Sequence, residues 1–232
     1  MGTDSVERFI RLLKKSPVGA VFNPWWQIDE ENDFGPDAPV IRRKQLRAYL
    51  QERLATATLA IVGEALGYRG GHFTGIPMTS ERLLLGKKPE IVAALPECPY
   101  LQRTSKPNIC ADGFSEPTAT IVWGALLRLG LKPKQFVLWN EFPWHSFDPA
   151  RGLLSNRMPN VAERVAGVPV LKAFLDLFRC EQVVALGKIA AAQLAELGVN
   201  ACCIRHPASG GAKLFRQQIA ELTMNRRRSR GR

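Results

Sequence analysis

An α/β/α sandwich built on a mainly parallel sheet is the fold class the sequence predicts, and three observations carry the prediction. Four short runs are almost wholly apolar: Leu59-Ala60-Ile61-Val62, Phe136-Val137-Leu138-Trp139, Val183-Val184-Ala185-Leu186 and Ala201-Cys202-Cys203-Ile204. Runs of this length without polar alternation suit strands buried on both faces, as in a parallel sheet covered by helices. Segments of helical period separate them, and each run leads into a polar or glycine-bearing turn: Gly63-Glu64, Asn140-Glu141, Gly187-Lys188 and Arg205-His206. The architecture is therefore three layers around a central four-stranded sheet, with ligands expected just past the carboxyl ends of the strands.

The helices follow in order. Val6, Phe9, Ile10 and Leu13 share one face of a first helix closed off by Pro17, and Leu46, Tyr49, Leu50 and Leu54 share a face over 41–57. A third starts near Ser115-Glu116-Pro117, runs through Val122, Trp123, Leu126 and Leu127, and meets Gly130. Further helices fit 169–179, 188–197 (stopped by Gly198) and 212–223. Two stretches poor in regular pattern, 20–40 and 96–114, read as loops that wrap the core.

The chain has 232 residues, 46% hydrophobic and 23% charged, an ordinary globular composition that fits one domain over 1–224. Residues 225–232 form a basic tail with five arginines and no acid, expected to be disordered. The net charge is +11, and the body without those five arginines still carries +6. Charge of this size points to a polyanionic partner, nucleic acid or an anionic membrane surface. No apolar run approaches the ~20 residues that cross a bilayer. The opening MGTDSVERFIRLLKK sets acids beside its apolar residues and has no small-residue cleavage site, so it does not read as a secretory signal. Cys98, Cys110, Cys180, Cys202 and Cys203 make an odd count without C-x-x-C, which argues against a disulfide framework or zinc ribbon and for reduced thiols in the cytosol.

Three turns can carry chemistry. Gly63-Glu64-Ala65-Leu66-Gly67-Tyr68-Arg69-Gly70-Gly71, continued by Thr74-Gly75-Ile76-Pro77, lets backbone approach a ligand and exposes N–H groups to an anion; it is neither a dinucleotide fingerprint nor a P-loop. Asn140 stands at the exit of an apolar strand, where a turn-forming asparagine is the common structural explanation. His206-Pro207-Ala208-Ser209-Gly210-Gly211 precedes a helix with the apolar face Leu214, Phe215, Ile219 and Leu222.

Taken together, Gly-Glu-Ala-Leu-Gly after the first strand, Asn after a middle strand and His-Pro-Ala-Ser-Gly-Gly after the last resemble the motif set of the uracil-DNA glycosylase superfamily over roughly 59–216. The likeness is greatest to the branch with Gly-Glu-Ala-Pro-Gly, Leu66 replacing its proline. The resemblance implies that uracil in single- or double-stranded DNA is flipped into a pocket at the strand ends and its N-glycosidic bond hydrolysed without metal or other cofactor. It implies a monomer in the cytoplasm, held near the nucleoid by DNA. Asn140 would read the Watson–Crick edge of uracil and His206 would lie against O2, where negative charge grows. Backbone N–H groups of Gly63, Ala65 and Gly67 would bind the same oxygen or a phosphate, and Ser209 and Gly210 would grip the DNA backbone.

Three departures from the pattern matter. Ala65 occupies the position where members often hold Asp or Asn to orient water, leaving Glu64 as the nearest carboxylate; it is either the base or a structural acceptor for its own loop. The aromatic that stacks on uracil falls near Met78, so the platform is Met78 or a neighbour such as Phe73, while Tyr68 or Arg69 could crowd C5. The cysteines lack the pattern for the iron–sulfur cluster of that branch. Two rival readings stand beside this one: a DNA-binding protein of the same fold without catalysis, and a metal hydrolase using His72, His145 and His206.

Overall fold

The computed structural model describes residues 2–92 and 101–230. In chain order the elements are α1 (Gly2–Leu12), β1 (Val21–Phe22), α2 (Ala38–Gln51), β2 (Leu59–Ala65), α3 (Gly71–Thr74), α4 (Glu81–Leu84), α5 (Pro89–Val92), α6 (Pro117–Arg128), β3 (Phe136–Phe142), β4 (His145–Ser146), α7 (Val161–Phe178), β5 (Gln182–Leu186), α8 (Lys188–Glu196), β6 (Ala201–Ile204) and α9 (Ala212–Arg230). The four apolar runs are the four strands of one parallel sheet, in the order β3-β2-β5-β6. Consecutive residues of β2 and β3 are buried although they point to opposite faces, so helices cover both sides, as the runs without alternation imply. The two edges differ: Cys202 and Cys203 on β6 are exposed, whereas β3 at the opposite edge is buried throughout. On the opposite edge Tyr49 of α2 accepts the Leu138 N–H through its hydroxyl at 2.7 Å, satisfying a donor that no further strand takes up.

The core centres on β3. Trp139 stacks on Phe174 of α7 at 5.1 Å and meets the edge of Phe9 from α1, also at 5.1 Å. Three boundaries differ from expectation. Helix α2 is shifted toward the N-terminus, Ala38–Gln51 against 41–57, with Pro39 in its first turn. Helix α7 begins eight residues before the expected 169, at a capping box in which Asn160 Oδ1 accepts the Glu163 N–H (3.0 Å) and Glu163 Oε2 accepts the Asn160 N–H (2.8 Å). Pro169, which reads as a start, lies inside it. Helix α9 continues through the arginine run to Arg230, where a disordered tail was expected; 231–232 lie outside the described residues.

The described parts of the two pattern-poor stretches, 20–40 and 101–114, do wrap the core, and they do it through buried charge; 96–100 lie outside the described residues. Asp33 forms an isolated antiparallel bridge with Ser105. Arg42, fully buried, donates to both oxygens of Asp33 at 2.7 and 2.9 Å, to Thr104 Oγ1, and to the carbonyls of Pro24 and Gln27. Glu81 Oε1 accepts the backbone N–H groups of Thr104 and Ser105. A desolvated guanidinium is tolerable only while its carboxylate is present, so Asp33→Ala is expected to cost about 3–5 kcal/mol, more than a cavity of that size alone. Urea unfolding of the variant checks this; a loss below ~1 kcal/mol would show that Arg42 reaches water or another anion.

Candidate active site at the strand ends

Strand register brings the three turns together. Gly63 pairs abreast of Asn140 in β2–β3, and Leu186 abreast of Ile204 in β5–β6, so all three motifs leave the same end of the sheet. They enclose a cavity of ≈ 640 Å³. Of the residues singled out from the sequence, Gly63, Glu64, Ala65, Gly67, Tyr68, Arg69, Met78, Asn140 and His206 line it. Phe73 does not: it is fully buried behind the site and stacked on Phe114 at 4.6 Å, so it serves the core and is no platform. Ser209 and Gly210 are exposed outside the lining, in left-handed conformations (φ 52° and 76°) that turn the chain from His206 into α9.

The floor depends on Gly63. A Cβ there would stand 3.0 Å from Asn140 Oδ1 and 3.3 Å from Met78 Cε, so the absent side chain is what lets these two close over the strand end. Met78 is held at φ 48°, a strained backbone for a non-glycine residue, with its carbonyl accepting from Trp123 Nε1 at 3.1 Å. Asn140 is 2% exposed, and among the described residues its side-chain amide has no hydrogen-bond partner. A nearly buried amide left unspent is costly in a free protein, and its two functions remain available to a ligand.

His206 stands opposite. Burial and the neighbouring Arg205 cation push its pKa below the ordinary value, so the imidazole is neutral at pH 7. Its Nδ1 accepts the Ala208 N–H at 3.1 Å. A neutral ring that accepts at Nδ1 carries its proton on Nε2, and the tautomer is thereby set by the backbone of the motif itself. Gly211 is needed for that turn, since a Cβ there would run into the His206 carbonyl.

Three carboxylates approach the cavity. Glu64 lines it half-buried; burial raises its pKa and Arg164 opposes the rise. Behind it Glu141 is pushed up to about 7 by burial although Arg164 Nε donates to its Oε1 at 3.0 Å. Glu116, just before α6, has no sequence signal beyond its place at a helix start, yet it lines the wall beside Gly67. The segment 148–158 was also missed: Arg151, Ser155, Asn156, Arg157 and Met158 form the facing wall, tied to the first motif where Tyr68 N–H donates to Asn156 Oδ1 at 3.0 Å. Arg69 and Arg151 at the rim are exposed and positive, as phosphate contacts require.

The three histidines do not meet. His72 and His145 face each other Nδ1 to Nδ1 at 2.9 Å, both fully buried and away from the cavity lining that holds His206. His72 Nε2 lies 3.0 Å from Asp29 Oδ2, and His145 Nε2 donates to the Ser155 carbonyl at 2.7 Å. Burial pushes both imidazoles down, His145 to about 3. Their nitrogens are spent in this internal chain, which fastens the first motif to the 148–158 wall, and the reading of a three-histidine metal centre is overturned. Among the described residues no group of three or more His, Cys, Asp or Glu is placed to hold a metal ion; Cys98 lies outside them.

A crystal structure of wild-type SMUG2 from Pedobacter heparinus superposes with a TM-score of 0.64, covering 97% of this chain and 98% of that one at 13% sequence identity, which is a likeness of fold. No curated protein sequence matches the chain. The model of the uracil DNA glycosylase superfamily matches residues 53–230, from just past the second helix through the last, including all three turns that line the cavity; the chain belongs to that superfamily.

Proposed function

We propose that the protein is a monofunctional DNA glycosylase that extrudes uracil into the strand-end cavity and hydrolyses its N-glycosidic bond. The observation that carries this reading is the unspent Asn140 amide and the Nε2–H donor of His206 on one cavity floored by side-chain-free Gly63. Asn140 Oδ1 accepts from uracil N3–H while its Nδ2 donates to O4, a pattern that cytosine reverses at both atoms. As the bond from C1′ to N1 breaks, its electron pair passes to the base and accumulates on O2, where His206 donates. Water adds to C1′ and its proton passes to Glu64, the carboxylate next to Ala65 in the chain and in the cavity lining. Met78 lays its thioether against the ring. Tyr68, braced by a hydrogen bond from Arg69 Nε at 2.7 Å, closes the side of the pocket.

The test is incubation with single- and double-stranded oligonucleotides carrying one uracil, followed by alkali. Strand scission at the uracil is expected. Binding without scission would leave a DNA-binding protein of this fold in which the catalytic step is lost. Glu64→Gln addresses the base: excision is expected to fall about a hundredfold. Because burial raises this carboxyl and the base works ionised, wild-type activity is expected to climb with pH across its raised pKa and the variant to lose that climb. An unchanged acid limb in a rate-against-pH series would remove Glu64 from the role.

A further inference from the structure

Among the carboxylates that line the cavity, Glu116 remains without a task. Glu116 is the N-cap residue of α6 but makes no side-chain cap; it turns instead across the first motif. Its carboxyl lies over two glycines: a Cβ at Gly67 would stand 3.3 Å from Oε1, and a Cβ at Gly70 would overlap Oε2. Oε2 is buried without any hydrogen-bond partner, and among the described residues Glu116 has no ion pair. Among the described residues no N–H of the loop donates to this carboxyl, and that of Gly70, the nearest glycine, is already given to the Gly67 carbonyl. Other charged groups of the cavity are engaged or exposed. Arg69 is bonded to Tyr68, Arg157 is paired with Glu163, Arg151 is exposed on the facing wall, and Glu64 and His206 add no positive charge at neutral pH.

We propose that Glu116 acts as a neutral carboxylic acid that donates a hydrogen bond to an oxygen acceptor of the nucleotide held in the cavity, a third polar contact beside Asn140 and His206. The proposal rests on the reading of the cavity as a nucleotide site. It follows from solvation: an anionic carboxylate here has neither donor nor cation, whereas the acid form needs neither and offers a proton to whatever displaces the cavity water. Burial alone pushes the carboxyl up to about 7, in agreement with that balance, and filling the cavity with a base removes more water in the same direction. The ionised form would also oppose the negative charge that grows on the departing base.

Single-turnover excision by wild type, Glu116→Gln and Glu116→Ala from pH 5.5 to 9 tests the proposal. Glutamine keeps a donor and cannot ionise. The ratio of wild-type to Glu116→Gln rates is expected to fall about tenfold per pH unit above the pKa of the acid, and Glu116→Ala to be slower than Glu116→Gln throughout. Glu141 titrates in the same window but is present in both proteins and cancels in the ratio. Parallel profiles overturn the proposal, as does a wild-type rate that climbs through pH 7 and is abolished by glutamine, the signature of a base. Oligonucleotides with 4-thiouracil, or with a methylphosphonate beside the uracil, separate a base oxygen from a phosphate oxygen as the acceptor: the pH-dependent ratio disappears for the one that is altered. Should wild type excise no uracil at any pH, the proposed function fails by itself. The ratio of dissociation constants of the two proteins for a uracil-bearing single strand then takes the same role, and a ratio flat in pH overturns the assignment of Glu116.

Discussion

Replacing His206 by alanine is expected to lower uracil excision by about 10²–10³-fold, the usual consequence of removing one donor aimed at developing negative charge. DNA binding, read by fluorescence anisotropy, is expected to stay within a few-fold of wild type, because a contact that strengthens only as the bond breaks contributes little to the ground state. The expectation rests on two features. Burial and Arg205 hold the ring neutral, and the Ala208 N–H at 3.1 Å from Nδ1 leaves the proton on Nε2. A neutral donor has a consequence for pH: since the pKa of His206 lies below its ordinary value, raising the pH from 7 to 9 removes no proton from the ring, and no loss of activity in that range is assigned to it. His206→Gln separates this role from imidazolium catalysis. A glutamine amide can donate but cannot carry a charge, so partial recovery over alanine fits a neutral donor, while equal loss in both variants would point to the charged ring. Turnover by His206→Ala close to wild type would place the stabilising donor elsewhere in the wall.

The sheet and the convergence of its turns were legible for a simple reason. A run such as Leu59-Ala60-Ile61-Val62 has no polar face to present to water, so it must sit inside a covered sheet, and every strand of a parallel sheet points its exit the same way. Asn140 and His206 therefore had to emerge on one side. The edge position of β6 was not legible, because Ala-Cys-Cys-Ile is as apolar as a central strand and only the order of strands decides who has two neighbours. The start of α7 was legible in principle: Asn160 and Glu163 stand at the spacing of a capping box, but Pro169 gives the louder signal for a first turn. What sequence could not offer was the second wall. Asn156 and Glu116 are separated from the first motif by 88 and about 50 residues, and both belong to the site through contacts with glycines and backbone that carry no side-chain pattern. His72 and His145 show the converse: rare, titratable residues in suspected loops attract a catalytic reading, yet each is consumed by the other, by Asp29 and by a carbonyl.

Asn140→Asp is expected to reduce uracil excision by at least about a hundredfold and to open a route to cytosine. The position is fixed by register beside Gly63, where a Cβ would already crowd Oδ1 at 3.0 Å, so the side chain has little freedom to swing away and the substitution changes chemistry at constant shape. Aspartate still accepts from N3–H but meets O4 with a second acceptor, and an unsatisfied buried pair costs about 1–3 kcal/mol before any repulsion of the departing anion is counted. Cytosine inverts the requirement: its N4 amine donates and its N3 accepts, which a protonated carboxyl matches atom for atom. A carboxyl at a site 2% exposed, with Glu141 next in the chain, is driven toward that protonated form by desolvation and by like charge. The ratio of cytosine to uracil excision by the variant, in which the Glu64 limb common to both cancels, is therefore expected to be greatest at low pH and to fade as the carboxyl ionises. Matched oligonucleotides with uracil or cytosine, assayed between pH 5 and 8, read both effects. Unaltered rate and selectivity in the variant would mean that another group reads the base, and the unspent amide at the end of β3 would need a different explanation.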